Sequence, residues 1–240
     1  MKPICLWSGP RNISTALMYS FAQRSDTVVY DEPLYAHYLA KTGAHAYHPG
    51  AQEVLASQDP DGARVIATMM GAQPKPVAFF KHMAHHLVEL DWSFMKETIN
   101  VILTRDPAEM LTSYIRQINA PVLSDTGYDA QIRVMEYVES LGQEILVLDA
   151  RQVLLNPPRV LAQLCERIGI PFETSMLSWE AGARPEDGVW APHWYRSVHE
   201  STGFSPYQPK NEVLPETLQA LLAQCRPLYE RMQKLAISGE

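Results

Sequence analysis

The chain has 240 residues, of which 46% are hydrophobic and 20% charged, and its formal net charge is −7. This length and apolar content suffice for one domain with its own core, so we expect a single domain over residues 1–240. The negative balance argues against a nucleic-acid-binding protein, because such proteins usually carry a positive surface. No stretch approaches the roughly 18 apolar residues of a membrane span, and the chain opens on a predicted strand without a signal-peptide pattern. We therefore expect a cytoplasmic protein that binds neither nucleic acid nor membrane.

The three cysteines, Cys5, Cys165 and Cys225, lie far apart in the sequence and show no paired spacing. Cys5 falls in a predicted strand, and the other two fall on apolar faces of predicted helices. Buried thiols are the expected state, since disulfide frameworks and zinc sites need closer or repeated spacing.

Residues 3–17, PICLWSGPRNISTAL, predict a strand, a tight loop and a helix. This unit directs backbone N–H groups and a helix N-terminus at one point, which favours a phosphate or sulfate group. The loop lacks the second glycine and the lysine of the nucleotide-kinase pattern Gly-x-x-x-x-Gly-Lys-Ser/Thr. An ordinary turn, in which a serine only caps the helix, is the alternative. The candidate binding residues of the loop are Gly9, Arg11, Asn12, Ser14 and Thr15.

Acidic and basic residues follow the next two predicted strands. Asp31 and Glu32 end the strand at residues 27–30, and Pro33 forces Glu32 into an extended conformation. Lys81 follows the strand at residues 76–80. In an open α/β sheet both places face the ligand-binding crevice, although solvated turn residues are the alternative for the carboxylates. His82 and His86, four residues apart, are expected to share a helix face, but nothing completes a metal site there, and no metal is expected.

Arg105 directly follows the clearest strand, residues 100–104. Asp106 is the expected N-cap of the next helix, with Pro107 at its first position. Ser113 then lies about two turns along this helix, near enough for it and Arg105 to hold one anionic group. A surface ion pair and an unrelated helix serine are the alternative.

The remaining pattern completes an α/β chain. A fifth strand is predicted at residues 144–148 and an amphipathic helix at 160–168. Strands that alternate with helices favour a doubly wound, mostly parallel sheet flanked by helices. Residues 171–209 form a long loop, which is too long to lack a function. A last helix is predicted from about residue 215, bent or broken at Pro227.

Two of these stretches, SGPRNISTAL and VILTRDPAEMLTSY, resemble the nucleotide-binding motifs of the sulfotransferase family, whose members share a P-loop fold. The stretch LVLDARQVLLNPPRVLAQLCERIGIPF is also similar to that family, so the resemblance covers most of the chain. It implies the co-substrate 3′-phosphoadenosine 5′-phosphosulfate. By resemblance, Arg11, Ser14 and Thr15 bind the phosphosulfate, and Arg105 and Ser113 bind the 3′-phosphate.

The sequence departs from the family pattern at two places. Ile13 stands where most family loops have glycine, and the late Arg-Lys-Gly motif is missing in that form. Arg184, Arg196 or Lys210 is expected to substitute for that motif, and we include Arg196 among the binding residues.

The resemblance also implies a reaction: transfer of a sulfuryl group to a hydroxyl or amine of a small-molecule acceptor. Lys81 is expected to reach the bridging oxygen, and Glu32 is the favoured general base, with His85 or His86 as the alternative. Residues 34–58 and 171–209 would shape the acceptor pocket, with Tyr35, Tyr38 and Trp92 as candidate lining residues. A small-molecule kinase, which the missing loop lysine disfavours, and a non-catalytic nucleotide-binding protein are the alternatives. A homodimer is left open.

Overall fold

The computed structural model describes residues 1–209 and 213–240 of the chain. Its described residues contain one five-stranded sheet in the order β2-β3-β1-β4-β5, and every neighbouring pair of strands is parallel. The strands are β1 (Lys2–Ser8), β2 (Thr27–Asp31), β3 (Val77–Met83), β4 (Ile99–Thr104) and β5 (Leu146–Asp149). The predicted α/β class and the parallel sheet are therefore confirmed.

Helices cover both faces of this sheet. The α-helices are α1 (Ser14–Ala22), α2 (Tyr35–Lys41), α3 (Ala51–Ser57), α4 (Gly62–Met70), α5 (Pro107–Tyr114), α6 (Leu123–Thr126), α7 (Tyr128–Ser140), α8 (Ala150–Leu155), α9 (Pro157–Ile168), α10 (Ala191–Trp194), α11 (Arg196–His199) and α12 (Gln219–Gln233). Short 3₁₀ helices lie at Gly43–Ala46, Ala84–His86, Ser93–Glu97, Thr174–Leu177 and Glu216–Leu218.

The strand β1 shows how the sheet separates two hydrophobic cores. Ile4 and Leu6 pack in the core formed with α1 and α9. Cys5 and Trp7 point to the opposite face and pack in the core formed with α4, α5, α7 and α12. Because side chains alternate along a strand, one buried strand serves both cores.

Parallel pairing brings the carboxyl ends of the strands to one edge of the sheet. In the register of the central strands, Leu6 of β1 lies between Lys81 of β3 and Val101 of β4. Asp31, the last residue of β2, is paired with Lys81 as well. The loops that follow β1, β2, β3 and β4 therefore meet at this edge, which is where open α/β sheets bind ligands.

Several local predictions are confirmed. Asp106 caps α5, since its side chain accepts a hydrogen bond from the backbone N–H of Ala108 at 2.8 Å, and Pro107 is the first helical residue. The three cysteines are buried free thiols. In the part of the chain that the structure describes, no helix is long and apolar enough to cross a membrane. The expected cytoplasmic location stays a prediction.

One local prediction, the end of β3, is wrong. The strand β3 extends three residues further than predicted, so His82 lies in a strand and does not share a helix face with His86. The helix α12 is not broken at Pro227, which lies inside it, and a bend there stays a prediction. The alternative in which Ser14 caps α1 is not observed, because Ile13 holds the N-cap position and offers no side-chain oxygen.

Candidate active site

A cavity of about 670 Å³ opens at the carboxyl edge of the sheet. This volume lies within the range of ~300–1,000 Å³ that is typical of small-molecule sites. The proposed catalytic and donor-binding residues that line it are Arg11, Asn12, Ser14, Thr15, Glu32, Lys81, His85, His86, Arg105 and Ser113. The two other residues proposed for these roles, Gly9 and Arg196, are not among its lining residues.

The loop after β1 is held by hydrogen bonds to its own atoms and to β4. Asn12 donates from Nδ2 to the carbonyl of Leu103 at 3.0 Å, and its Oδ1 accepts from the N–H of Ile13 at 2.9 Å. Ser14 and Thr15 then form the first turn of α1, where N–H groups lack partners within the helix. Such a helix start at a cavity favours an anionic group.

Arg11 is the centre of the polar contacts in this loop. Its φ of +51° lies in the left-handed region, and Arg105 donates from Nη1 to its carbonyl at 2.9 Å. The Arg11 guanidinium donates from Nε to Oγ of Ser113 at 2.9 Å and from Nη1 to the carbonyl of Trp194 at 3.3 Å. Arg11, Arg105 and Ser113 are thus joined in one group, although they come from three places in the sequence.

The electrostatic environment of this group favours an anion. Burial lowers the pKa of Arg11, and the nearby guanidinium groups of Arg105 and Arg116 lower it further. Glu109 partly balances Arg105, with Nη2 3.1 Å from Oε2. A phosphate or sulfate between Arg11 and Arg105 would relieve the repulsion of the two cations and accept their hydrogen bonds.

Gly9 lies under the loop and has a packing role. A Cβ atom at this position would lie 2.8 Å from the carbonyl oxygen of Thr126, closer than a real Cβ contact. The glycine therefore allows the junction between α6 and α7 to approach the end of β1.

Lys81 lies at the centre of a second polar group, the Lys81 cluster, made of Asp31, Glu32, Lys81 and Tyr195. Its ammonium group lies 2.7 Å from Oδ1 of Asp31, 2.6 Å from Oε1 of Glu32 and 2.6 Å from the hydroxyl of Tyr195. The lysine side chain is only 1% exposed. Burial alone would lower the pKa of Lys81, but the two carboxylates outweigh burial and raise it. Lys81 is therefore a permanent cation whose three N–H groups all have acceptors.

Tyr195 joins the late part of the chain to this cluster. Its hydroxyl donates to the carboxylate of Asp31, with distances of 2.9 Å and 2.7 Å to the two oxygens, and accepts from Nε1 of Trp190 at 3.0 Å. The backbone N–H of Gly188 also donates to Asp31 at 3.0 Å. Asp31 was expected to face the crevice, with a solvated turn as the alternative, and no role was predicted for Tyr195. The position of Asp31 at a strand tip beside Glu32 was a usable signal, whereas Tyr195 had none.

Glu32 is the carboxylate that the cluster exposes to the cavity. Its backbone does not have the extended conformation expected before Pro33, because φ is +41°. The Glu32 N–H donates to the carbonyl of Lys81 at 2.8 Å, and its own carbonyl accepts from Gln58 at 3.1 Å. Burial raises the pKa of Glu32, Lys81 opposes this rise, and Asp31 adds to it.

The histidines after β3 lie in an aromatic wall of the cavity. His86 stacks on Tyr35 and Tyr38 at centroid distances of 4.8 Å and 4.6 Å, and Tyr38 also meets His85 edge-on at 5.1 Å. Burial lowers the pKa of His85 to about 3 and that of His86 well below its ordinary value, so both rings are neutral at pH 7. Among the described residues, Nδ1 of each ring has no hydrogen-bond partner.

Of the three aromatic residues predicted to line the acceptor pocket, one lines the cavity and two do not. Tyr35 lines the cavity, and its hydroxyl lies 2.7 Å from Nδ1 of His48, another lining residue. Tyr38 packs behind the histidines, and Trp92 packs against Tyr137 at 5.5 Å; neither is a lining residue.

Of the proposed late-chain cations, Arg184 and Arg196 do not line the cavity. The side chain of Arg196 is 90% exposed and pairs with Glu200 at 3.3 Å, although its neighbour Ser197 does line the cavity. Arg184 lies over the ring of Tyr19 at 4.9 Å and is not a lining residue. Lys210 lies outside the described residues. The lining residues that this part of the chain does supply include Trp190, Trp194, Ser197, Val198, Ser201 and Phe204.

No three His, Cys, Asp or Glu side chains within residues 1–209 and 213–240 are grouped so that they could hold a metal ion.

Comparison with known proteins identifies the family. The Sulfotransferase domain family matches residues 1–236, and the chain therefore belongs to this family. Three solved sulfotransferase structures share its fold. The domain from the Synechococcus olefin synthase has a TM-score of 0.55 at 14% identity, covering 93% of this chain and 94% of that one. The domain from the curacin biosynthetic pathway has a TM-score of 0.52 at 13% identity, with 94% and 98% covered. The sulfotransferase from Alicyclobacillus acidocaldarius has a TM-score of 0.54 at 13% identity, with 98% and 96% covered.

Two proteins of Arabidopsis thaliana are more similar in sequence. Branched-chain-amino-acid aminotransferase-like protein 2 is 39% identical over 231 residues, which are 95% of this chain and 41% of that protein. Branched-chain-amino-acid aminotransferase-like protein 1 is 40% identical over 225 residues, which are 93% of this chain and 40% of that protein. The chain thus spans about two fifths of the length of these relatives, and their names describe the longer proteins.

Proposed function

We propose that the chain transfers a sulfuryl group from 3′-phosphoadenosine 5′-phosphosulfate to a hydroxyl or amine of a small-molecule acceptor. The observation that carries the proposal is the convergence of Arg11, Arg105 and Ser113 at one cavity beside a phosphate-type loop. Membership of the sulfotransferase domain family supports a transferase, and this group of side chains supports the donor.

The donor is proposed to bind along the loop after β1. The N–H groups of the loop, the start of α1 and the guanidinium of Arg11 would hold the phosphosulfate, with Ser14 and Thr15 supplying hydroxyls. Arg105 and Ser113 would hold the 3′-phosphate, because a guanidinium can give a phosphate two parallel hydrogen bonds. The Arg11 to Ser113 contact of 2.9 Å supports one continuous anion site.

The acceptor is proposed to bind against the aromatic wall. Tyr35, His48, Trp190 and Trp194 line the cavity there, and the ring of Trp190 lies 5.1 Å from that of Tyr35. Aromatic lining with few polar groups is typical of sites for small, largely apolar ligands. Trp190 also donates to Tyr195, so this wall adjoins the Lys81 cluster.

Glu32 is the proposed general base. In the reaction the acceptor oxygen or nitrogen forms a bond to sulfur while the bond from sulfur to the bridging oxygen breaks. The acceptor proton passes to Glu32, and the bisphosphate leaves with the negative charge. The raised pKa of Glu32 suits this task at neutral pH, whereas an imidazole with a pKa of about 3, as in His85, is a weak base.

The expected contact of Lys81 with the bridging oxygen stays a prediction, and it requires Lys81 to exchange one of its present hydrogen-bond partners. All three ammonium hydrogens have acceptors in Asp31, Glu32 and Tyr195. Lys81 would have to give up one of these partners to donate to the leaving group. In this arrangement its constant role is to hold Glu32 and to supply positive charge near the reaction centre.

Calorimetric titration with 3′-phosphoadenosine 5′-phosphate and, separately, with ATP and magnesium tests the proposed donor. We expect a dissociation constant in the micromolar range for the bisphosphate, corresponding to about −8 kcal/mol, and little binding of ATP. Tighter, magnesium-dependent binding of ATP would instead indicate a kinase. Binding of neither nucleotide would contradict a working nucleotide site.

A further inference from the structure

We propose that Asp31 is a positioning residue that serves as the permanent counter-ion of Lys81 and so leaves Glu32 able to accept and release a proton. The inference rests on the proposed function, in which Glu32 takes the proton of the acceptor. Asp31 does not line the cavity and contacts Lys81, which does.

The two carboxylates of the cluster differ in how many donors they meet. Asp31 receives hydrogen bonds from Lys81 at 2.7 Å, from Tyr195 at 2.7 and 2.9 Å, and from the N–H of Gly188 at 3.0 Å. Both of its oxygens are therefore occupied as acceptors, and its side chain is only 1% exposed. Glu32 receives a side-chain hydrogen bond from Lys81 at 2.6 Å and faces the cavity.

This difference determines which carboxylate can change its charge. Protonation of Asp31 would break a set of hydrogen bonds that hold β2, β3 and the late segment together. Protonation of Glu32 affects one contact, and Lys81 keeps Asp31 as its partner. The buried ammonium is then never left uncompensated, which would otherwise be strongly unfavourable.

Without Asp31, the same lysine would make Glu32 a poor base. Lys81 and Glu32 alone would form a one-to-one buried ion pair, in which the ammonium stabilises the charged carboxylate and holds its proton affinity down. The negative charge of Asp31 cancels much of this effect. When two carboxylates share one ammonium, the proton affinity of Glu32 is therefore higher than it would be in a one-to-one pair with Lys81.

The other titratable groups near Glu32 do not carry charge that competes with this effect. Tyr35 lies on α2 and Tyr195 on the late segment, and burial raises the pKa of both hydroxyls, so they are neutral. His86, which follows β3, is neutral because burial lowers its pKa. Besides burial, the charges that act on the protonation of Glu32 are therefore those of Lys81 and Asp31.

The test follows the protonation of these carboxylates by carbon-13 NMR in the full chain, labelled at Asp and Glu carboxyl carbons. The Glu32 signal is identified by its loss in Glu32→Gln, and no acceptor is needed. In the unmodified protein we expect the Glu32 signal to titrate at a midpoint above that of an ordinary glutamate. In Asp31→Asn we expect the Glu32 midpoint to fall by about one pH unit or more. Asp31→Glu keeps the charge and is expected to restore a midpoint near that of the unmodified protein.

Each outcome bears on the proposal separately from the proposed function. If the Glu32 midpoint in the unmodified protein is not raised, or if the Glu32 midpoint in Asp31→Asn is unchanged or higher, the inference is wrong. A purely structural role for Asp31 would lower the melting temperature of Asp31→Asn and leave the midpoint in place. The midpoint in the unmodified protein is measured without Asp31→Asn, so failure of that variant to fold does not prevent the test. Failure of the proposed function would appear in the separate calorimetric titration with nucleotides. The NMR midpoint of Glu32 is measured without nucleotide and does not depend on that result.

Discussion

The buried imidazole ring of His82 links the free energy of unfolding to pH. Both of its ring nitrogens are buried and have no hydrogen-bond partner among the described residues, and the ring stacks on Trp7 at 4.5 Å. Burial lowers the pKa of His82 to about 3, with Lys81 adding to the effect. The unfolded chain therefore binds a proton below about pH 6.5 that the folded chain excludes. The free energy of unfolding must fall as the pH drops through this window, by up to about 1.4 kcal/mol per pH unit.

The variant His82→Phe tests this linkage. We expect the difference in free energy of unfolding, variant minus unmodified protein, to increase as the pH is lowered from 7 to 5. The reason is that the variant has no imidazole at this site that the fold must keep unprotonated. Denaturant unfolding followed by circular dichroism at several pH values measures the difference. Parallel stability curves for the two proteins would contradict the account.

At the scale of elements, the end of β1 and the junction between α6 and α7 support the loop that bears Arg11. Gly127, with φ of +79°, begins the turn into α7, and a Cβ on it would lie 3.2 Å from Cα of Gly9. Gln131 of α7 donates to the carbonyls of Trp7 and Leu103 at 3.1 Å and 2.6 Å, and so fastens the helix to the ends of β1 and β4.

Gly9→Ala is expected to force this junction apart. The added methyl would meet the carbonyl of Thr126 at 2.8 Å, and backbone atoms cannot move aside cheaply. We expect a loss of about 1–3 kcal/mol in the free energy of unfolding, measured by denaturant titration. Gly43→Ala is the control, because nothing lies within 4 Å of its added atom, and a change within about 0.5 kcal/mol is expected. Equal effects of the two substitutions would contradict close packing at Gly9.

At the scale of the whole molecule, parallel pairing explains why so much of the candidate site could be predicted. Arg11 and Arg105 follow strands that the sequence indicated, Lys81 lies near the end of a third, and parallel strands bring such positions to one edge. The end of β3 was missed because a strand buried on both faces shows no alternation, and His82 reads as part of a following helix. Other contacts, such as that of Tyr195 with Asp31, join residues 164 positions apart and leave no local pattern.

Arg196 lies in a late segment without regular periodicity. The family resemblance implied that a cation from this segment faces the nucleotide, but a segment without periodicity does not indicate the direction of each side chain. The structure turns Arg196 to solvent and brings Ser197 and Phe204 to the cavity.

Binding of the donor's 3′-phosphate by Arg105 can be tested with two ligands on two proteins. Calorimetry would compare 3′-phosphoadenosine 5′-phosphate with adenosine 5′-phosphate, which lacks the 3′-phosphate, on the unmodified protein and on Arg105→Ala. Arg64→Ala is the control, since its exposed side chain pairs with Asp59 and Asp61 and does not line the cavity.

We expect loss of the 3′-phosphate to weaken binding by about 1.5–3 kcal/mol in the unmodified protein and in Arg64→Ala. In Arg105→Ala the loss should be clearly smaller, because only Ser113 remains to hold the 3′-phosphate. Because each comparison is made within one protein, any shift of the loop caused by losing the Arg105 contact to Arg11 cancels. The same loss in all three proteins would contradict the account.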